Sequence, residues 1–396
     1  SGSLPTLSQH GSWIKKDVTA LKRYVWAAAA LLLLWTGAPR VGAVDCSAAS
    51  AVVMEAETGR VLYEKQARQR RPIASITKLM TALVALESGH DLEENVTIRP
   101  EWTGIEGSSL YLTPGENIRL ETLLYGLLLR SGNDGAEAIA GWCGGSREKF
   151  IARMNERAAR LGMEDSHFAD PSGLSDEGHW SSAYDMALLA RACLAQPELA
   201  KIVSTRAITL EGRALVNHNK LLWRCPGCLG MKTGYTKKAG RTLVSAAERE
   251  GMTLICVTLN DPDDWADHIA LLDWAFGRFA MEQVVRAGET LCRLPVGGSL
   301  LPFCPAVAGE GAALCLAQGE QPRLRLRLEL DRTALTAPVA AGEVLGRAVY
   351  ELNGTELSAV PVETGTALPD LTPPKRGPLA WLQERLGGAA KTMTGG

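Results

Sequence analysis

The chain has 396 residues, 46% of them hydrophobic and 22% charged, with a formal net charge of -2. That is room for two domains and a sizeable core, in a composition that does not favour disorder. There is no long basic stripe, Tyr and Phe number only 7 and 5, and six scattered His include no H-E-x-x-H or comparable cluster. Nucleic acid as a main partner, a catalytic metal and any other cofactor are therefore not indicated.

Lys15, Lys16, Lys22 and Arg23 precede the apolar run Tyr24 to Trp35, and Gly37, Pro39 and the small-residue site "VGA" ending at Ala43 follow it. Basic, apolar, small is the order of a secretory signal. The run has about twelve residues against the roughly twenty that a membrane span needs. Residues 1–43 thus read as a signal cleaved after Ala43, and the rest as an exported chain. Cys46, after "AVD", lacks the small-residue pattern of a lipid attachment site.

Next, "SAVVMEA" and "RVLYEKQ" flank "ETGR" with Gly59 at the bend, a hairpin that opens a sheet. From Ser75 the apolar positions Ile76, Leu79, Met80, Leu83, Val84 and Leu86 recur with a helical period that Gly89 stops. Ala82 and Ala85 fill the other faces, so this helix should run through the interior. Helical periodicity returns over Leu120 to Leu129, Arg147 to Leu161 and Tyr184 to Leu194. Two strands, "RTLVSAAE" and "MTLICVTLN", and a helix from Trp265 to Phe276 follow. This order implies an α/β (α+β) domain over residues 44–281, a helical cluster with a mixed sheet whose edges come from both ends of the chain.

Residues 282–366 change texture to short alternating segments broken by Gly and Pro, such as "RLRLRLEL" and "GEVLGRAVYEL", which reads as a small all-β domain. Residues 367–396 are a Pro-rich linker and a short amphipathic tail with Leu379, Leu382 and Leu386 on one side. That tail suits a membrane surface, with Trp381 at the interface, and suits equally a frayed or docked terminus. The nine Cys are odd in number and show no framework spacing. Cys225 and Cys228, in "RCPGCLG" before a strand, are either two incidental thiols of a turn or a local disulfide.

Chemistry enters with S-x-x-K, which a chain of this size shows roughly once by chance. Here it occurs at Ser12/Lys15, Ser75/Lys78 and Ser146/Lys149. The first lies in the signal. Context separates the other two: Ser146 precedes a charged first turn and reads as a helix cap with Lys149 on the surface, whereas Lys78 belongs to an interior helix. An interior ammonium is costly, and desolvation lowers its pKa toward the range where it accepts a proton, so Lys78 suits a base for a Ser75 nucleophile. Farther on come S-G-N, Ser131 and Asn133, and K-T-G, Lys232 to Gly234. The first pair offers a hydroxyl relay and an amide for a substrate carbonyl, and the second a cation and a hydroxyl for a carboxylate.

With these motifs in order, the chain resembles the penicillin-recognising serine enzymes, specifically the secreted D-alanyl-D-alanine carboxypeptidases, or low-molecular-mass penicillin-binding proteins. "ASITKLMTALVALE", "LLLRSGNDGAEAIA", "FADPSGLSDEGHWSSAYDMALLAR" and "GMKTGYTKKAGRTLVSAA" carry the resemblance. It implies a transpeptidase-like catalytic domain, peptidoglycan pentapeptide as substrate, β-lactams as inhibitors, and a place on the outer face of the membrane or in the cell wall. It further implies Ser75 as nucleophile, Lys78 as base, Ser131 and Asn133 as the facing wall, and Lys232, Thr233 and Gly234 on a substrate-binding strand. Tyr235 would supply the second oxyanion N–H. His218 stands where some relatives carry arginine, and "NDPDDWADH" is acidic where others are basic. A β-lactamase of class A would need an E-x-x-L-N loop, and "PELAKIV" lacks the asparagine. A non-catalytic wall-binding protein should have lost one of Ser75, Lys78 or Lys232, whereas endopeptidase action on crosslinks uses the same chemistry.

Overall fold

The computed structural model describes residues 44–174 and 178–370; the expected signal over residues 1–43 and the tail from residue 371 lie outside the described residues. Strands β1 (Ser50–Glu55) and β2 (Val61–Lys65) form the opening hairpin. Gly59, at its bend, has a φ of +76°, which a residue without Cβ adopts freely. A 3-10 turn over Ala74–Thr77 leads into α1 (Lys78–Leu86), buried from Lys78 to Ala85 as its all-round apolar sequence requires. A small hairpin, β3 (Asn95–Thr97) and β4 (Asn117–Arg119), precedes α2 (Leu120–Tyr125). The helix expected to Leu129 is α-helical only to Tyr125, and a π turn over Gly126–Arg130 completes it.

The helical cluster continues with α3 (Asn133–Gly144), α4 (Arg147–Arg160), α5 (Ala183–Leu194) and α6 (Pro197–Ser204). Ser146 Oγ accepts the Lys149 N–H at 3.2 Å, capping α4, and Lys149 is exposed. The hairpin β5 (Ala207–Leu210) and β6 (Arg213–Val216), and the one-turn α7 (Leu221–Arg224), lead to β7 (Cys228–Thr236), β8 (Gly240–Arg249), β9 (Met252–Leu259) and α8 (Asp264–Arg278).

The main sheet has the order β2-β1-β9-β8-β7. The expected mixed sheet is corrected here, because each of its four pairings is antiparallel. Tight turns join β7, β8 and β9, and a tight turn can join only antiparallel neighbours, whereas a parallel pair needs a crossover of a dozen residues or more. Alternation sorts the two faces. Val52, Met54, Val244, Ala246, Ile255 and Val257 join Leu79, Leu83, Phe150 and Met186 in the helical core, each large side chain among them contributing about 1.5–3 kcal/mol. On the other face lies α8, whose buried His268 bonds Ser245 Oγ at 2.6 Å and Thr258 Oγ1 at 2.9 Å.

A β-rich region follows α8 directly. Strand β10 (Phe279–Val285) pairs with β13 (Ala312–Ala317). The remaining strands are β11 (Thr290–Gly297), β12 (Phe303–Ala308), β14 (Leu324–Leu330), β15 (Leu335–Thr336), β16 (Val344–Leu352) and β17 (Thr355–Thr364). They form a sheet in the order β14-β16-β17-β12-β11-β15 around Leu294, Leu314, Leu345, Ala348 and Val362. Arg60, in the β1–β2 turn, ties the β-rich region to the main sheet: its guanidinium bonds both Glu320 carboxylate oxygens at 2.8 and 2.9 Å and the Cys315 carbonyl, over the Phe279 ring.

Candidate active site

The site begins with a backbone anomaly. Ala74, just before Ser75, has a φ of +50°, a left-handed conformation that costs a residue with a Cβ roughly 1–2 kcal/mol. Its carbonyl accepts the Thr77 Oγ1 hydroxyl at 2.7 Å, and Thr77 Oγ1 also meets His179 Nε2 at 2.7 Å. Gly173 packs so closely there that a Cβ on it would lie 2.0 Å from Ala74 O. Thr77, Gly173 and His179 thus surround the turn that presents Ser75.

Lys78 opens α1 with its side chain fully buried. Its Nζ donates to Ser75 Oγ at 3.0 Å, Asn133 Oδ1 at 2.7 Å and Ser172 O at 2.6 Å, using all three ammonium hydrogens. Burial lowers its pKa to about 7, with Asp170, Asp134 and Glu137 pulling the other way. Asn133 opens α3, and its Nδ2 donates to Glu106 O at 2.6 Å, tying it to the β3–β4 loop. Next to it, Asp134 accepts the N–H groups of Leu110 and Leu112 and the Ser109 hydroxyl, fixing the same loop.

Ser131, after the π turn, is left-handed at a φ of +63° and only 5% exposed. Its Oγ accepts from Lys232 Nζ at 3.0 Å, and Lys232 also donates to Thr233 O at 2.8 Å. Burial, with Lys78 as a like-charged neighbour, lowers the pKa of Lys232 well below that of a free lysine. Strand β7 brings the K-T-G against the nucleophile: a Cβ on Gly234 would lie 2.4 Å from Thr242 Oγ1, 2.9 Å from Ser75 N and 3.1 Å from Ile76 N. Tyr235, the next residue, is 66% exposed on this rim. Ser75, Lys78, Ser131, Asn133, Lys232, Thr233, Gly234 and Tyr235, far apart in sequence, are therefore assembled around α1 and the edge strand β7. Thr77, Asp170, Ser172, Gly173, His179 and Thr242 complete the surroundings. No spacing rule singled them out, although they lie in segments that carried the family resemblance.

The two departures and the Cys225/Cys228 pair also find places. His218 donates its backbone N–H to Leu129 O at 3.1 Å, and partial burial, with Lys232 and Arg130 nearby, pushes its pKa down to about 4. The acidic run after β9 serves α8: Asp264 and Asp267 occupy its first turn, where the helix dipole favours anions, and Asp261 accepts the Ser47 hydroxyl at 3.0 Å. Cys225 and Cys228 are both free thiols, in a turn closed by the Cys228 N–H on Cys225 O at 3.2 Å.

Residues 37–263 match the family described as D-alanyl-D-alanine carboxypeptidase, and residues 279–369 match the penicillin-binding protein 5 C-terminal domain. The D-alanyl-D-alanine carboxypeptidase DacF of Bacillus subtilis is 32% identical over 327 residues, 80% of this chain and 84% of that one. DacC of Escherichia coli, of the same description, is 33% identical over 337 residues, 81% and 84%. Among solved structures, penicillin binding protein 5 from Haemophilus influenzae superposes with a TM-score of 0.71 at 29% identity, over 83% of this chain and 99% of that one. A peptidoglycan synthesis regulatory factor from Streptococcus pneumoniae gives 0.73 at 27%, over 82% and 100%.

Proposed function

Because the chain belongs to the D-alanyl-D-alanine carboxypeptidase family, we propose that it is a serine hydrolase in which Ser75 Oγ attacks the carbonyl of the penultimate D-alanine of a peptidoglycan stem peptide. The observation that carries this reading is Lys78 Nζ, fully buried, 3.0 Å from Ser75 Oγ and brought by burial to a pKa of about 7. In its neutral form it takes the hydroxyl proton as the Oγ–C bond forms. The oxyanion then lies between the Ser75 and Tyr235 N–H groups. As the C–N bond breaks, Ser131, hydrogen-bonded to Lys232, relays the proton that Lys78 took from Ser75 to the leaving D-alanine nitrogen, and Lys78 is neutral again. Water hydrolyses the acyl-enzyme and restores Ser75.

Asn133 holds Lys78 through Oδ1, and its Nδ2 keeps a second hydrogen for the substrate. Lys232 and Thr233 bind the terminal carboxylate, whose negative charge restores the ammonium that burial disfavours. Gly234 and Tyr235 lie where a substrate backbone can pair with the edge strand β7. β-Lactams that mimic the D-alanyl-D-alanine end acylate the same oxygen and leave slowly. The chain acts outside the cytoplasm, as the basic, apolar, small-residue order of its N-terminal segment supports. D-alanine release from a stem pentapeptide, measured beside cleavage of a crosslinked dimer, tests this: pentapeptide should be preferred. A dimer cut faster identifies an endopeptidase, and no release from either contradicts the proposal.

A further inference from the structure

We infer that Asp170 and His179, which do not touch the reacting atoms, are positioning residues for acylation: His179 aims Ser75 through Thr77 and Ala74, and Asp170 holds and charge-balances Lys78. This rests on the reading of Ser75 and Lys78 given above.

The His179 arm is a directed chain of hydrogen bonds. Nδ1 accepts the Ala169 N–H at 3.1 Å, which leaves the proton of the neutral ring on Nε2. Nε2–H donates to Thr77 Oγ1 at 2.7 Å, whose hydroxyl donates to Ala74 O at 2.7 Å. The imidazole is 3% exposed, and its burial, opposed by Asp170, keeps it neutral. The carbonyl at the end of this chain belongs to the left-handed residue that precedes the nucleophile. Releasing it lets Ala74 relax toward a common conformation and swings Ser75 away from Lys78.

The Asp170 arm reaches Lys78. Oδ1 accepts the N–H groups of Ser172 at 2.7 Å and Gly173 at 2.6 Å and the Ser172 hydroxyl at 2.9 Å. That turn aims Ser172 O at Lys78 Nζ, 2.6 Å away, and seats Gly173 on Ala74 O. Oδ2 lies 3.7 Å from His179 Nδ1, beyond hydrogen-bond reach. Among the described residues, the charged and titratable groups around Lys78 are Asp170 from this loop, Asp134 and Glu137 from α3, Lys232 from β7 and the neutral His179. Glu137 is paired with Arg147 at 3.0 Å, and among the described carboxylates Asp170 opposes the desolvation of Lys78 most.

The test measures the penicillin acylation rate of the full chain from pH 5 to 9 in wild type, Asp170→Asn, His179→Phe and His179→Gln, with a melting temperature for each. In wild type the rate should fall below about pH 7 as Lys78 takes up a proton. The amide of Asp170→Asn keeps an oxygen for the same N–H donors but carries no charge. Lys78 then loses a proton more readily, and the acid limb moves down by roughly one pH unit, the effect of one nearby charge. A role in packing alone leaves the limb where it is, which overturns the Asp170 assignment. His179→Phe should lower the plateau rate about ten- to a hundredfold at unchanged penicillin half-saturation. His179→Gln, whose amide N–H stands near the Nε2 position, should recover at least roughly a third of the wild-type rate, since it restores the donor to Thr77. A His179→Gln rate no better than that of His179→Phe overturns the His179 assignment, and the comparison holds even if both melt lower. Wild type that does not acylate overturns the Ser75 reading itself, and this inference with it.

Discussion

Gly234→Ala tests how closely the K-T-G strand is built onto the nucleophile. The added Cβ would stand 2.4 Å from Thr242 Oγ1, 2.9 Å from Ser75 N and 3.1 Å from Ile76 N. Position 234 is outside the left-handed region, so its backbone accepts alanine and only the contacts object. Thr242 Oγ1 bonds Ile73 O at 2.9 Å and cannot swing away freely. Either β7 shifts outward by several tenths of an ångström, or the methyl group covers the Ser75 N–H. Both outcomes remove an oxyanion donor, worth about 10²–10³ in rate, while overpacking costs roughly 1–3 kcal/mol of stability. The assay is the second-order rate of penicillin acylation followed by intact mass, with a melting temperature beside it. A Gly234→Ala/Thr242→Ala double variant removes the first overlap and keeps the second, so it should stay slow. An alanine variant within about threefold of wild type, far short of the loss of a donor, would refute the reasoning. Rescue by the second substitution would move the obstruction from Ser75 N to the sheet.

Burial takes Lys78 from 10.5 when unfolded to about 7 when folded, so between these values the unfolded chain binds more protons and stability rises with pH. Lys78→Met should flatten that rise in urea midpoints measured at about pH 7 and pH 9.5 and abolish acylation; an equally steep rise would assign the proton uptake elsewhere. Arg60→Ala should destabilise the attachment of the β-rich region by about 1–2 kcal/mol, the loss of a mostly buried charged hydrogen-bond pair, seen as a lower melting temperature with unchanged acylation. Since Cys225 and Cys228 are thiols, mild reductant should leave the acylation rate unaltered, and burial that pushes Cys228 up to about 11 should make its alkylation slow at about pH 8. Rapid alkylation, or a rate that changes with reductant, would contradict that environment.

The motifs that meet at the candidate site were legible because each is local: an S-x-x-K spans one helical turn, and the apolar neighbours of Lys78 announce the burial that the structure shows. The helix at Asn133–Gly144 escaped periodicity because Gly135, Gly141 and Gly144 interrupt its pattern. Gly141 and Gly144 are explained only by what packs on them, Trp102 and Phe150. Pro197 reads as a breaker in isolation, yet it occupies the first turn of its helix, where its missing N–H is harmless. The antiparallel sheet depended on which strand lies beside β1, a long-range pairing that no window of sequence contains. The same holds for Asp170, His179 and Thr242: the hydrogen bonds through which they act join residues roughly 90 to 170 positions apart in the chain.

The most direct test of the account is intact mass of the mature chain over time after mixing with penicillin, with Ser75→Ala alongside. A stable adduct of one penicillin on wild type and none on Ser75→Ala is the predicted result. An adduct that forms equally on Ser75→Ala, or wild type that never gains mass, would contradict the assignment of Ser75 as the acylated residue.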